Sequence, residues 1–122
     1  MSITIHPDQG VTSDVRPWGS WEVLDQGPDY KVKRITVRGN SRLSLQTHAC
    51  RSEYWMIVSG RATCTVGDRE RVLGAGGSVH VPVGTPHRIG NDQEDDLILV
   101  EVQVGAYLGE DDIVRLEDDY GR

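Results

Sequence analysis

Gln46, His48, Glu53 and His87 combine an amide, a carboxylate and two imidazoles within about one third of the chain. A donor set of this mixed kind suits Zn²⁺, Mn²⁺, Fe²⁺, Co²⁺ or Ni²⁺, with availability deciding among them. Three or four protein ligands leave coordination positions for water or substrate oxygens, and an open site is catalytic more often than structural. Gln46 is the weakest donor of the four, and its second reading is a hydrogen bond to the bound ligand. Cys50 offers either a soft thiolate or a small buried hydrophobe; burial beside the site is the expectation. His6 and His80 stand outside this spacing and read first as packed or surface side chains.

Strands are the elements that can bring these groups together. Residues two apart in a strand face one side, so Gln46 and His48 point together and Arg42 and Ser44 extend the same row. Glu53 follows a tight loop and starts the neighbouring strand. His87 comes after a turn bracketed by Pro82 and Pro86, which restricts the backbone and sets the imidazole opposite the other three. Strands are expected over Tyr30–Val37, 42–47, 53–58, Ala62–Val66, Ser78–Val81 and 97–104, punctuated by glycine and proline, with a hairpin turn at Gly67-Asp68. In the last strand Leu97, Leu99, Glu101 and Gln103 alternate with Ile98, Val100, Val102 and Val104, so one face carries polar groups. The one helical candidate is the acidic tail over 109–120, with Ile113 and Leu116 forming a short turn on the barrel. Trp18 and Trp21 are expected to cover the barrel. Short strands at regular spacing predict an all-β barrel or sandwich: a single domain over 1–122, with an N-terminal arm over 1–15 and an acidic tail over 109–122 packed against it.

The chain of 122 residues carries 13 basic and 19 acidic side chains, a net charge of −6. No basic stripe is present, which argues against nucleic acid as a partner. No apolar run approaches the ~20 residues of a membrane span. Two cysteines, Cys50 and Cys64, in an otherwise ordinary globular composition point to a reducing, cytoplasmic setting, with a buried pair as the alternative.

Gly76, Pro82, Gly84, His87 and Asn91 fit the pattern G-x5-P-x-G-x2-H-x3-N at every fixed position. Upstream, Gln46, His48, Glu53 and Gly60 reproduce H-x-H-x4-E-x6-G with glutamine in place of the first histidine. The two motifs, in order, resemble those of the cupin superfamily. The resemblance implies a double-stranded β-helix, or jelly-roll, barrel that holds one divalent transition metal through Gln46, His48, Glu53 and His87.

A narrower resemblance is carried by Arg16-Pro17-Trp18-Gly19-Ser20-Trp21-Glu22-Val23-Leu24, by Tyr30-Lys31-Val32-Lys33-Arg34-Ile35 and by Arg42-Leu43-Ser44-Leu45-Gln46. It continues through Gly84-Thr85-Pro86-His87-Arg88 and Tyr107-Leu108-Gly109-Glu110-Asp111-Asp112-Ile113-Val114-Arg115. These segments resemble the type II mannose-6-phosphate isomerases, whose cupin domain usually follows a mannose-1-phosphate guanylyltransferase in one bifunctional chain. The resemblance implies metal-dependent interconversion of mannose 6-phosphate and fructose 6-phosphate through an enediol, in the supply of GDP-mannose for polysaccharide. It implies further a stand-alone isomerase-like cupin or a piece of a longer product, with a separate guanylyltransferase as a candidate partner. Such chemistry needs a base of near-neutral pKa; Glu101 is the leading candidate and His80 the second. It also needs cations for a phosphate, and Arg42, Lys33, Arg88 and Arg115 are the groups within the matching segments, Arg42 foremost because of its row. Family members carry a run of histidines where this chain has Thr47-His48-Ala49-Cys50, and a histidine at Tyr54. That departure implies weaker metal binding or a substituting Cys50.

Two other classes of function compete with the isomerase. A non-catalytic cupin binding a sugar or sugar nucleotide would regulate or scaffold a polysaccharide pathway, and a cupin of another reaction type, such as a dioxygenase, would use the same fold for other chemistry. A homodimer is expected through the apolar rows of Leu43, Leu45, Ile98, Val100 and Val102.

Overall fold

The computed structural model describes residues 12–122. His6 and most of the expected N-terminal arm lie outside them. The described residues form two antiparallel sheets and no helix. The first sheet runs, in spatial order, through β1 (Ser13–Arg16), β2 (Gly19–Gln26), β3 (Tyr30–Val37), β11 (Leu97–Gly105), β6 (Arg51–Ser59) and β9 (Ser78–Val81). The second runs through β12 (Val114–Glu117), β5 (Leu45–Thr47), β10 (His87–Asn91), β7 (Ala62–Val66) and β8 (Arg69–Leu73), with β4 (Ser41–Arg42) paired to β10. The all-β expectation holds. The expected helical turn in the tail does not: 114–117 extends and pairs with β5, because that edge strand leaves backbone groups open to a partner.

Three adjacent strands explain how the inside of the barrel is divided. Register places Leu97 beside Val37, Leu99 between Ile35 and Ile57, Glu101 between Lys33 and Trp55, and Gln103 between Lys31 and Glu53. Every one of these residues is buried, as the period of two requires. Side chains alternate across a strand with a period of two, so β3, β11 and β6 each present apolar groups at one end of the inner face and polar groups at the other. The apolar end, with Ala62, Cys64, Ile89 and Trp21, is the core. Full burial of each such aliphatic side chain contributes roughly 1.5–3 kcal/mol. The polar end of the same three strands is the floor of a site.

Two glycines set the frame. Gly67 adopts φ +62°, the left-handed conformation a tight hairpin requires, and joins Val66 to Arg69 as the sequence predicts. Gly105 lies where an added Cβ would stand 2.1 Å from the Cys50 carbonyl oxygen and 3.0 Å from the Arg51 Cα. Gly105→Ala is expected to push β11 away from the start of β6 and to destabilise the fold by about 1–3 kcal/mol, measurable as a lowered denaturation midpoint; an unchanged midpoint would contradict this packing.

The row from Arg42 to His48 is not a single strand. Pairing stops after Arg42 and resumes at Leu45, and the Leu43 amide donates to the Ile89 carbonyl. Across this break Leu43 packs on the core and Ser44 is buried, while Arg42 turns out to solvent. Leu43 is therefore unavailable to a subunit interface. Cys50 is exposed, against the expectation of burial; Cys64 is buried; both are free thiols. Trp18 and Trp21 are each 5% exposed and close the barrel as expected.

Candidate metal and substrate site

His48, Glu53 and His87 converge at the polar end of the barrel. All three are buried, and their donor atoms lie within 4.8 Å of one another. His48 follows directly on β5, Glu53 lies on β6, and His87 opens β10 with Gln46 as its Cα partner across the ladder. Gln46 lines the same cavity. Each histidine is oriented by a main-chain carbonyl: His48 Nδ1 lies 2.6 Å from the Asp112 oxygen and His87 Nδ1 2.8 Å from the Thr85 oxygen. A carbonyl can only accept, so both Nδ1 atoms carry the proton and, in the neutral rings, both Nε2 atoms offer a lone pair inward.

That arrangement fits a divalent cation. His48 Nε2 and Glu53 Oε2 are 3.0 Å apart and His87 Nε2 and Glu53 Oε1 3.7 Å apart. Lone pairs facing one another at these distances call for a positive charge between them. His87 Nε2 is buried with no hydrogen-bond partner among the described residues. Fixing each imidazole by its other nitrogen is the usual support of a metal-binding histidine. Burial, the largest influence on His87, lowers its pKa and keeps the ring neutral. Burial acting alone would raise Glu53; a hydrogen bond from His48, made when that ring is protonated and no cation lies between the two, and the charge of Arg51 reverse this and hold it well below the ordinary carboxylate range. A neutral imidazole at His87 and an ionised carboxylate at Glu53 are the protonation states that metal ligands need.

Around this trio the charges alternate. Arg51 Nε donates to Glu53 Oε2 at 3.0 Å, and its Nη2 lies 3.2 Å from His48 Nε2. Trp55 Nε1 donates to Glu53 Oε1 at 3.0 Å. Gln103 Nε2 donates to Glu101 Oε1 at 2.6 Å. Burial and then the neighbouring Glu53 charge push the Glu101 carboxyl up to about 8. Lys33 Nζ donates to both oxygens of Glu110 at 2.7 Å and sits 3.9 Å above the Trp21 ring. Burial lowers the pKa of Lys31.

The structure brings together Gln46, His48, Glu53, His87, Glu101 and Lys33, with Arg115 at the exposed rim of the same cavity. It does not bring in His80, Arg42 or Arg88. His80 is exposed on the outer face of β9, between the inward Val79 and Val81, and stacks on Tyr54 with ring centroids 4.4 Å apart, so it cannot serve as a base in this cavity. Arg42, turned outward by the break after β4, forms a two-pronged pair with Asp119 at 2.6 and 2.9 Å. Arg88 occupies the opposite face of β10 from His87 and Ile89, where its guanidinium donates to the carbonyls of Leu43 and Glu117. Both arginines border a groove on the outside of the second sheet.

Positions 49, 50 and 54, where histidines of the resembled family are replaced, all lie outside the cavity. Ala49 and Cys50 are exposed, with their amides donating to the Asp112 carboxylate at 2.8 and 2.9 Å, and Tyr54 is on the outer face of β6. Their replacement takes no donor from the trio, and Cys50 does not substitute as a ligand. Arg51, Gln103 and Glu110, which line the cavity, and Lys31, which lies behind Glu110, are site residues that the sequence reading did not name. Arg51, Lys31 and Gln103 stand two positions from Glu53, Lys33 and Glu101, and strand period alone carries them inward; Glu110 sits on a loop and has no such signal.

The family described as "Mannose-6-phosphate isomerase C-terminal" matches residues 6–118. The xanthan biosynthesis protein XanB of Xanthomonas campestris pv. campestris is 50% identical over 107 residues, which are 88% of this chain and 23% of that protein. The alginate biosynthesis protein AlgA of Pseudomonas aeruginosa is 49% identical over 88% of this chain and 22% of its own length. The mannose-1-phosphate guanylyltransferase ManC of Salmonella typhimurium is 45% identical over the same share of this chain and 22% of its own length. The chain thus spans less than a quarter of these relatives. Among solved structures, a double-stranded β-helix protein from Klebsiella pneumoniae superposes with TM-score 0.69 at 19% identity, covering 93% of this chain and 91% of that one. Oxalate decarboxylase of Bacillus subtilis, a protein with Mn(II) centres, superposes with TM-score 0.75 at 20% identity, covering 87% of this chain and 30% of that one. These likenesses establish a cupin fold, and the full-length family match establishes that the chain belongs to the mannose-6-phosphate isomerase C-terminal family.

Proposed function

We propose that this domain is a metal-dependent aldose–ketose isomerase that interconverts mannose 6-phosphate and fructose 6-phosphate, in the supply of GDP-mannose for polysaccharide. The observation that carries the reading is the buried His48–Glu53–His87 trio, with an unpartnered His87 nitrogen, set beside a carboxyl held near neutrality at Glu101. Gln46, His48, Glu53 and His87 would hold the ion, which when bound supplies Lewis-acid stabilisation of charge on the sugar oxygens. The metal is one of Zn²⁺, Mn²⁺, Co²⁺, Ni²⁺ or Fe²⁺, since the donor set suits all of them.

In this reading Glu101 removes the C2 proton of the aldose as a carboxylate and returns it to C1, while a hydroxyl proton passes from O2 to O1. Gln103 fixes the carboxyl by its 2.6 Å hydrogen bond. Lys33 receives the phosphate, and Arg115 stands at the rim of the same cavity. Trp18, Trp21 and Trp55 wall the cavity and keep water from the enediol. Incubation of the chain with mannose 6-phosphate in D₂O tests this directly. Fructose 6-phosphate, with any deuterium taken up from solvent confined to C1, is the expected product; saturable binding without product would favour the second reading, a sugar-binding cupin without turnover.

The domain is also proposed to work in the cytoplasm as a homodimer, with guanylyltransferase activity supplied by a separate chain or by a further part of its own. Tyr54, Met56 and Val58 are exposed on the outer face of β6 beside the half-buried Ile98, Val100 and Val102 of β11, an apolar patch suited to a second copy.

A further inference from the structure

The cavity that holds the trio encloses about 80 Å³. Small-molecule sites usually provide roughly 300–1,000 Å³, and a water's share of the liquid is about 30 Å³. A hexose phosphate therefore enters only if a group now in the cavity leaves it. Glu110 is the group placed to do so. Its side chain is 20% exposed, whereas the lysines it contacts are 2% and 4% exposed. It stands between two fixed points: Leu108, which is buried and whose carbonyl accepts from Lys31 Nζ at 2.8 Å, and Asp112, whose carboxylate holds the amides of Ala49 and Cys50. Rotation of the Glu110 side chain toward solvent breaks neither anchor.

What Glu110 would uncover is a pair of ammonium groups. Strand alternation places Lys31 and Lys33 on the inner face of β3, and one carboxylate serves both: Lys33 at 2.7 Å and Lys31 at 3.6 Å. Two buried cations sharing one anion are a costly way to fill a barrel, since apolar replacements for buried ion pairs are often neutral or stabilising. A phosphate dianion has one more acceptor oxygen than a carboxylate and twice its charge, so it offers a hydrogen bond to each lysine, whereas Glu110 accepts from Lys33 and reaches Lys31 only as an ion pair at 3.6 Å.

We propose that Lys33, which lines the cavity, and Lys31, which lies behind Glu110, form an anion-binding subsite and that Glu110 is its displaceable counter-ion, which the phosphate of an incoming sugar phosphate replaces. The identity of the sugar phosphate rests on the isomerase reading; the subsite does not. Selectivity follows, because an unphosphorylated hexose has nothing to exchange with Glu110 and meets a filled cavity mouth.

Calorimetric titration of the unsubstituted chain, Glu110→Gln and Lys33→Gln with inorganic phosphate, mannose 6-phosphate and mannose tests the proposal. Glu110→Gln is expected to bind phosphate and mannose 6-phosphate roughly tenfold tighter or more, Lys33→Gln to lose both, and mannose to bind none of the three detectably. In the unsubstituted chain, phosphate should also shift the ¹³C carboxyl resonance of Glu110, a readout that needs no variant to fold. Equal or weaker phosphate binding by a folded Glu110→Gln, or a Glu110 resonance unmoved at saturating phosphate, would overturn the subsite. Tighter binding of phosphate by Glu110→Gln without binding of mannose 6-phosphate would support the subsite and count against the phosphosugar reading.

Discussion

His87→Ala is expected to lose bound metal and isomerase turnover together. The imidazole contributes an inward nitrogen with no hydrogen-bond partner among the described residues, so its removal takes a donor from the cation while leaving the Glu53, Arg51 and His48 contacts in place. Changes to the supports of a metal ligand commonly cost 10–100-fold in affinity or activity; loss of the ligand itself should cost more than roughly 100-fold in metal affinity. His87 packs edge-on to Trp55 at 5.6 Å, so some stability is lost as well, and circular dichroism must show the strand content retained. Metal analysis beside a coupled isomerase assay provides the check. A folded variant that keeps wild-type metal content would exclude His87 as a ligand, and one that keeps turnover while metal-free would exclude metal-dependent isomerisation.

Glu101→Gln should lower kcat by about 10²–10⁴-fold with metal content unchanged, the range typical of a positioned acid–base group. The same substitution has a stability signature with a definite sign. Glu101 holds its proton up to a pH of about 8 in the folded metal-free chain, against an ordinary value of 4.5. Between those values the folded state binds more protons than the unfolded state, so this group's contribution is fully present below about 4.5 and is lost as pH rises through about 8. The lost stabilisation is on the order of several kcal/mol. Denaturation of the metal-free chain across that window should show a falling stability, and Glu101→Gln, which cannot ionise, should flatten it. A parallel fall in both proteins would mean that Glu101 is not the group that titrates.

Much of this was legible in the residues, and the legible part has one physical source. The period of two carried Leu97, Leu99, Glu101 and Gln103 to the inside of β11, and the spacing of Gln46, His48, Glu53 and His87 carried them to one cavity. The same rule misplaced Arg42, because it assumes an unbroken strand and the chain breaks at Leu43 and Ser44, where core packing of Leu43 outweighs alternation. Arg88 reads as a free cation in sequence and proves to be a clamp on two carbonyls, a role visible only once β4, β10 and β12 are side by side. The tail was misread because its apolar residues are spaced for a helical turn, whereas pairing with β5 decides its conformation. Glu110 was invisible for a related reason: a loop residue acquires its partners, here Lys31 and Lys33, from chain nearly eighty positions away. The missing histidines at 49, 50 and 54 fall on exposed positions outside the cavity, so their loss removes no donor from the trio.

The central claim is that the trio holds a metal on which isomerisation depends. Chelation of the chain, followed by re-addition of Zn²⁺, Mn²⁺, Co²⁺, Ni²⁺ and Fe²⁺ in turn, with bound metal and conversion of mannose 6-phosphate measured on the same samples, tests it most directly. Turnover that vanishes on chelation and returns in proportion to about one bound ion per chain is the predicted result. Turnover that persists in a chain shown to be metal-free, or full metal occupancy with no conversion by any of the five ions, would contradict it.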